Sequence, residues 1–130
     1  MNAKPSDIER EFRYSVQALA QPAPEQIRLN GQGGCVTCDL FEDYSNWHSV
    51  YLNHFREKLK SEQQSAILNV MNALNNVPDA DCECFDADML NRPSWAIVRE
   101  QAIRALESLG WEIASPPAMI QTSPGIWSMA

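Results

Sequence analysis

The chain has 130 residues, with 17 acidic against 10 basic side chains, a formal net charge of -7 and 45% hydrophobic residues. This length predicts a single domain over residues 1–130, and the composition is typical of a folded protein rather than a disordered one. The negative charge argues against a protein that binds nucleic acid by neutralising phosphates, and the short apolar runs argue against a membrane span.

The chain start and the spacing of apolar residues predict the compartment and the fold class. No apolar run typical of a signal peptide follows Met1, so we expect a cytoplasmic protein, in which disulfides are rare. Apolar side chains recur every three or four positions, the spacing of amphipathic helices. The pattern predicts an all-α, single-domain bundle of four to five helices, over residues 6–20, 39–60, 61–76, 86–91 and 94–109.

Local signals predict where three of these helices begin or end. Ser6 with Glu9, and Ser61 with Gln64, have the spacing of capping boxes that would start the first and third helices. Gly110 can take the left-handed conformation that ends the last helix. The turn before Ser61 is short, so the second and third helices are predicted to pack as antiparallel neighbours.

Two stretches lack helical spacing and are predicted to be irregular. Residues 25–38 combine an Ile27/Leu29 alternation with a glycine-rich segment, which predicts a loop, with a small strand before it as an open alternative. The glycines do not have the spacing of a phosphate-binding loop, so nucleotide binding is not expected. Residues 111–130 contain three prolines and almost no charge, which predicts an extended, proline-rich C-terminal tail lying over the bundle. The apolar side chains that would hold this tail are Ile113, Met119, Ile120, Ile126 and Trp127.

The four cysteines form two close pairs, Cys35 with Cys38 and Cys82 with Cys84. A C-x-x-C pair can supply two corners of a tetrahedral zinc site, and the four cysteines together are candidate zinc ligands if the two loops meet. Ordinary thiols are the alternative, and a thioredoxin-like redox role would need a βαβ pattern that the sequence does not show. A nucleophilic pair of Cys38 with His48 also stays open, because only geometry can decide it.

Acidic side chains are concentrated in two stretches that contain no Lys or Arg, residues 29–55 and 61–91. The interpretation that these stretches favour is a recognition surface for a basic protein, in which carboxylates steer association. The alternatives are a solvated loop, a paired-carboxylate hydrolase and a calcium loop beginning at Asp79. For calcium, Cys84 and Leu90 stand where glycine and glutamate are required. The candidate partner-binding residues are Asp79, Asp81, Glu83, Asp86, Asp88, Asp39, Glu42 and Asp43.

The segment from Phe85 to Trp95, FDADMLNRPSW, runs into Val98, Arg99 and a helix that ends at Gly110 and Trp111. With the tryptophan-containing helix and the Ser61–Gln64 cap before it, this part of the chain, residues 40–111, resembles small helical immunity proteins of bacterial polymorphic-toxin and contact-dependent inhibition systems. The glycine-rich cysteine loop and the proline-rich tail depart from that pattern.

The resemblance implies a cytosolic, non-catalytic protein that binds a cognate toxin, and many such toxins are nucleases with basic surfaces. Three hypotheses therefore follow from the sequence. The first is an immunity-type binder of a basic toxin, which needs no cofactor. The second is a zinc-stabilised helical domain with Cys35, Cys38, Cys82 and Cys84 as ligands and an unassigned interaction role. The third is an enzyme that uses Cys38 or a histidine. The sequence does not fix the oligomeric state.

Overall fold

The computed structural model describes residues 4–31, 34–123 and 126–129, and its side chains up to residue 118. Within these residues there are five α-helices: α1 Pro5–Leu19, α2 Ala23–Asn30, α3 Val36–Phe55, α4 Ser61–Asn75 and α5 Pro93–Leu109. Short 3-10 helices span Arg56–Lys58, Asp79–Asp81 and Ala87–Asn91, and two strands follow, β1 Met119–Ser123 and β2 Ile126–Met129. No helix in the described part of the chain has both the length and the apolar character needed to cross a bilayer.

The predicted fold class, a single-domain all-α bundle, is confirmed. The apolar stripe of α1, which consists of Ile8, Phe12, Val16 and Leu19, is at most 1% exposed and faces α3 and α5. Phe12 stacks on Tyr51 of α3 with ring centroids 4.3 Å apart. Helix α4 packs most extensively on α5 and makes fewer contacts with α3, its predicted neighbour. Burial of these stripes, rather than helix propensity, is the main source of stability for such helices.

Helices α1 and α3 begin earlier than the sequence predicted, whereas α4 begins at Ser61 as predicted but with a different cap. Helix α1 begins at Pro5 with Lys4 as its N-cap, so the capping box predicted at Ser6 does not form. A proline is well suited to a first helical turn, because its missing N–H has no helical partner there. At α4 the backbone N–H of Lys60 donates to Oε1 of Gln63 at 2.9 Å, one residue before the predicted box. Helix α3 begins at Val36 rather than at residue 39.

Helix α2 replaces the loop, and the alternative small strand, that were predicted within residues 25–38. Pro22 is its N-cap and Pro24 lies in its first turn, so the prolines that end α1 also open the next helix. The buried Gln26 amide donates to the carbonyls of Ala18 and Leu19 at 3.1 and 3.2 Å, which joins α2 to the end of α1. Gln32 and Gly33, in the glycine-rich part of the predicted loop, lie outside the described residues.

The C-terminal segment has two parts, where the sequence predicted one extended tail. Residues 111–118 have no regular structure and lie along α1, where Gln17 donates to the Glu112 carbonyl at 3.0 Å and Gln21 to the Ala114 carbonyl at 3.1 Å. Strands β1 and β2 then pair antiparallel, a hairpin that was not predicted. Short segments with β-branched and aromatic residues on both sides of a Pro-Gly pair favour such a hairpin. The apolar contacts predicted for residues 119–127 involve side chains outside the described set.

Candidate functional site

Three of the four cysteines meet at the N-terminal end of α3. The Sγ atoms of Cys35 and Cys38 are 3.0 Å apart, and those of Cys38 and Cys84 are 3.7 Å apart. Among the residues that the structure describes, these three form one group whose Sγ atoms all lie within 4.8 Å of one another. We refer to Cys35, Cys38 and Cys84 as the thiol cluster. Its members come from both predicted pairs, which answers the question that the sequence left open.

The local backbone explains how the thiol cluster forms. Cys35 is the N-cap of α3 and Cys38 lies three positions later in the first turn, so both side chains are on the same face of the helix. Cys84 is supplied by the loop that follows the 3-10 helix Asp79–Asp81. Phe85 has a positive φ of 60°, which is unfavourable for a side chain with Cβ, and its N–H donates to Sγ of Cys35 at 3.2 Å. Phe85 is also 76% exposed, so no core packing explains this backbone conformation.

The sulfurs of the first pair differ in their titration. Burial by itself raises the pKa of Cys35, but hydrogen bonds to its sulfur, mainly from the Cys38 thiol and the Phe85 N–H, outweigh this effect and lower the pKa to about 7. The pKa of Cys38 is raised to about 12 by its hydrogen bond to Cys35, by burial and by the hydrogen bond to Cys84. The cluster therefore favours a thiolate at Cys35 before one at Cys38.

Cys82, the fourth predicted ligand, is not a member of the thiol cluster. Its side chain is half-buried against the core. The pKa of Cys82 is raised, first by burial and then by the negative charges of Asp79 and Asp81, with smaller effects of Cys35 and Cys84. Cys82 thus lies near the cluster, yet its Sγ is outside the compact group that the other three sulfurs form.

The acidic loop, residues 79–88, is fixed at its first part by contacts with α5. The side chain of Asp81 accepts a hydrogen bond from Ser94 at 2.7 Å, and its carbonyl accepts one from Nε1 of the buried Trp95 at 2.9 Å. Asp86 caps the following turn by accepting from the N–H of Asp88. Two of the five predicted acidic contact residues in this loop therefore have structural roles. The carboxylates of Asp79, Glu83 and Asp88 are on exposed residues.

The other predicted acidic segment lines a cleft of about 580 Å³ between α1, α2, α3 and the C-terminal segment. We call it the acidic cleft and define it by its carboxylates, Glu11, Asp39, Glu42 and Asp43. Its walls are partly apolar, with Tyr14, Leu29, Leu40, Pro116 and Pro117. No Lys, Arg or His is among its described lining residues, although Arg10 pairs with Glu11 at 3.2 Å. The cleft thus combines an apolar wall with negative charge that is compensated only at Glu11.

Two groups of the acidic cleft, one carboxylate and one buried amide, show how unusual its polarity is. The pKa of Asp43 is raised to about 6, first because the surrounding protein reduces its hydration and then because Glu11 and Asp39 are close. Gln26 is 2% exposed and its Oε1 receives no hydrogen bond from the described residues. A buried acceptor without a donor is costly. A cationic hydrogen-bond donor in this cleft would suit both groups.

The two histidines do not form a reactive pair with a cysteine. Nδ1 of His48 lies 3.2 Å from the hydroxyl of Tyr44, which itself donates to the Ile67 carbonyl at 3.0 Å. His48 is ten residues after Cys38 on the same helix, a separation of about 15 Å along the axis. The nucleophilic pair that the sequence left open is therefore not formed. The pKa of His48 is lowered by burial and by Arg56.

Sequence reasoning missed the contribution of the first two helices to the acidic cleft. Glu11 and Tyr14 come from α1 and Gln26 from α2, and the predicted loop concealed the second of these helices. The available signal was Pro24 at the second position of the segment APEQIRLN, because a proline is well suited to a first helical turn.

Together, the fold and the sites define a small all-α bundle that carries a thiol cluster and an acidic cleft at neighbouring positions of α3. No protein-family model, no curated protein and no solved structure matches this chain.

Proposed function

We propose that this chain is a non-catalytic, cytosolic binding protein of the immunity type, which neutralises a basic protein toxin by holding its Lys or Arg side chains in the acidic cleft. The observation that carries the proposal is a cleft with four carboxylates, an apolar wall and no basic residue among its described lining residues. Lys and Arg side chains have the matching form, an apolar stem with a cationic head.

Charge and hydrogen bonding support a cationic occupant. A positive group would offset both the reduced hydration and the repulsion from Glu11 and Asp39 that raise the pKa of Asp43, and a guanidinium could donate to the unpaired Oε1 of Gln26. The acidic loop extends the negative surface, because Cys38 beside Asp39 contacts Cys84 beside Glu83. A surface of this kind accelerates encounter with a basic partner and fixes its orientation.

The experiment starts from the product of the neighbouring reading frame, co-expressed and co-purified with this chain. We expect a complex at micromolar concentration and rescue of cells from that product's toxicity. Replacing Asp39, Glu42 and Asp43 by the corresponding amides is expected to lower the association rate about tenfold at low salt, with a smaller effect at high salt.

Two further triple variants locate the contact. Neutralising the exposed Glu57, Glu62 and Glu107 removes the same charge away from the acidic cleft and is expected to change association much less. Neutralising Asp79, Glu83 and Asp88 tests whether the acidic loop extends the binding surface. The expected loss of association rate lies between that of the cleft variant and that of the control variant. If the Glu57, Glu62 and Glu107 variant and the Asp39, Glu42 and Asp43 variant lose association rate equally, only the net charge of the chain matters for binding. Absence of both complex and rescue would overturn the proposed function.

A further inference from the structure

The thiol cluster has the composition and the geometry of a metal site that is separate from the acidic cleft. Two sulfurs that are each about 2.3 Å from a tetrahedral zinc ion lie about 3.8 Å apart. The Cys38–Cys84 separation of 3.7 Å matches this edge, and the Cys35–Cys38 separation of 3.0 Å would need a small side-chain rotation to reach it. We propose that Cys35, Cys38 and Cys84 bind one zinc ion through three thiolates, and that Cys82 is not required.

The surrounding backbone is arranged for metal-bound sulfur. The Phe85 N–H donates to Sγ of Cys35 at 3.2 Å, and Thr37 Oγ1 lies 3.6 Å from the same sulfur. Such outer hydrogen bonds orient ligands and stabilise their charged form. The positive φ of Phe85, in a residue that is mostly exposed, is a local cost that this arrangement explains.

The α3 helix also favours negative charge at this position. Cys35 and Cys38 lie at its N-terminal end, where the helix dipole and free N–H groups stabilise anions. Three thiolates are soft ligands and select zinc or another thiophilic ion over calcium or magnesium. Cys84 is exposed, so water can reach the cluster and complete the tetrahedron.

A disulfide between Cys35 and Cys38 is the competing interpretation of the short sulfur separation. It would leave Cys84 without a partner, although Cys84 contacts Cys38 and the next residue donates to Cys35. A metal ion uses all three sulfurs and the donor N–H together. We therefore favour the metal site.

The test is a titration of the full chain, purified with a non-thiol reductant and chelator, with Co²⁺ and then Zn²⁺. We expect about one Co²⁺ per chain, with sulfur-to-cobalt charge-transfer absorption and the visible bands of a tetrahedral site, displaced by Zn²⁺. Removing a hydrogen bond to a metal ligand lowers metal affinity by up to roughly 100-fold. Cys84→Ser removes a ligand itself, so it should lower zinc affinity by more than this. Cys82→Ser is the matched control, two residues away, and should keep the affinity and spectrum of the parent chain.

Each contrary outcome overturns a defined part of the proposal. Loss of binding in Cys82→Ser equal to that in Cys84→Ser would disprove the three-ligand set, and far-UV circular dichroism of both variants shows whether either has unfolded. An unaltered Co²⁺ spectrum in Cys84→Ser, or no thiolate absorption in the parent chain, would disprove the site. The disulfide would be established instead by two results together. Protein purified without reductant would have two fewer titratable thiols and a mass lower by two hydrogens, and the reduced protein would take up no metal. None of these results tests whether a partner binds at the acidic cleft, so failure of the metal site and failure of the proposed function are distinguishable.

Discussion

Asp43 shows at the residue scale how the acidic cleft affects stability. Its pKa is raised from 3.8 to about 6, first by reduced hydration and then by Glu11 and Asp39. Between these two values the folded chain keeps a proton that the unfolded chain has lost, so the contribution of Asp43 to the free energy of unfolding falls as pH rises through this window. Asp43→Asn should therefore stabilise the fold near neutral pH, by about 1 kcal/mol after allowance for solvent screening of a partly exposed carboxylate.

Urea denaturation of the parent chain and Asp43→Asn across about pH 4 to 7 measures this effect. The difference in stability is expected to be small at the acidic end and largest near neutral pH. Glu62→Gln, on an exposed residue of α4 away from the cleft, is the control and should not show such a trend. A constant difference between Asp43→Asn and the parent chain at every pH would contradict the assigned cause.

The thiol cluster shows what residue patterns alone can and cannot predict. Both cysteine pairs, and the hypothesis that they bind zinc, could be taken from the sequence, because ligand type and short spacing are local properties. Which sulfurs meet depends on the backbone of a loop whose key residue, Phe85, adopts a positive φ that its type does not favour. Cys84 contacts Cys38 and Cys82 stays outside the group, a distinction that spacing cannot make.

The end of α5 is the element with the best-defined local signal. Gly110 has a φ of 72°, and the Trp111 N–H bonds to the Leu106 carbonyl at 2.9 Å while the Gly110 N–H bonds to the Glu107 carbonyl at 3.2 Å. This pattern is a Schellman motif. It turns the chain so that Trp111 packs against Phe12 and Tyr51, at centroid distances of 6.0 and 5.8 Å.

Gly110→Ala should lower the free energy of unfolding by about 1 kcal/mol, because alanine pays a steric penalty in the left-handed region. A Cβ at this position would meet nothing within 4 Å, so backbone conformation alone causes the expected loss. Chemical denaturation followed by Trp fluorescence measures it. Gly110→Asn is the control and should lose less, since asparagine tolerates this conformation better. An alanine variant as stable as the parent chain would contradict the assignment.

The helices were predictable to different degrees for a physical reason. Long apolar stripes predicted α1, α3, α4 and α5, because burial of one face imposes a periodic sequence. The short helix α2 has few buried positions and begins with prolines, which indicated only the end of α1. Helices α1 and α3 start one and three residues earlier than predicted because Lys4 and Cys35, neither of them a favoured capping type, occupy their N-cap positions.

At the scale of the whole molecule, the thiol cluster connects two distant parts of the chain. Cys38 and Cys84 are 46 positions apart, one in α3 and the other in the loop between α4 and α5. The same contact brings the two acid-only stretches of the sequence together at one end of α3. A metal ion at this point would therefore stabilise both the fold and the arrangement of the acidic surface.

A metal that binds the folded chain in preference to the unfolded one raises the free energy of unfolding, by about 2.7 kcal/mol at a free concentration of about 100 times the dissociation constant. For a chain of this size we expect the melting temperature in zinc to exceed that in chelator by on the order of 10 °C. Thermal unfolding followed by circular dichroism, with a non-thiol reductant in both buffers, measures the shift. Cys82→Ser should keep it and Cys84→Ser should lose it, because only the second variant removes a ligand that links the loop to α3. Identical melting of the parent chain in zinc and in chelator would show that no metal at this cluster contributes to folding.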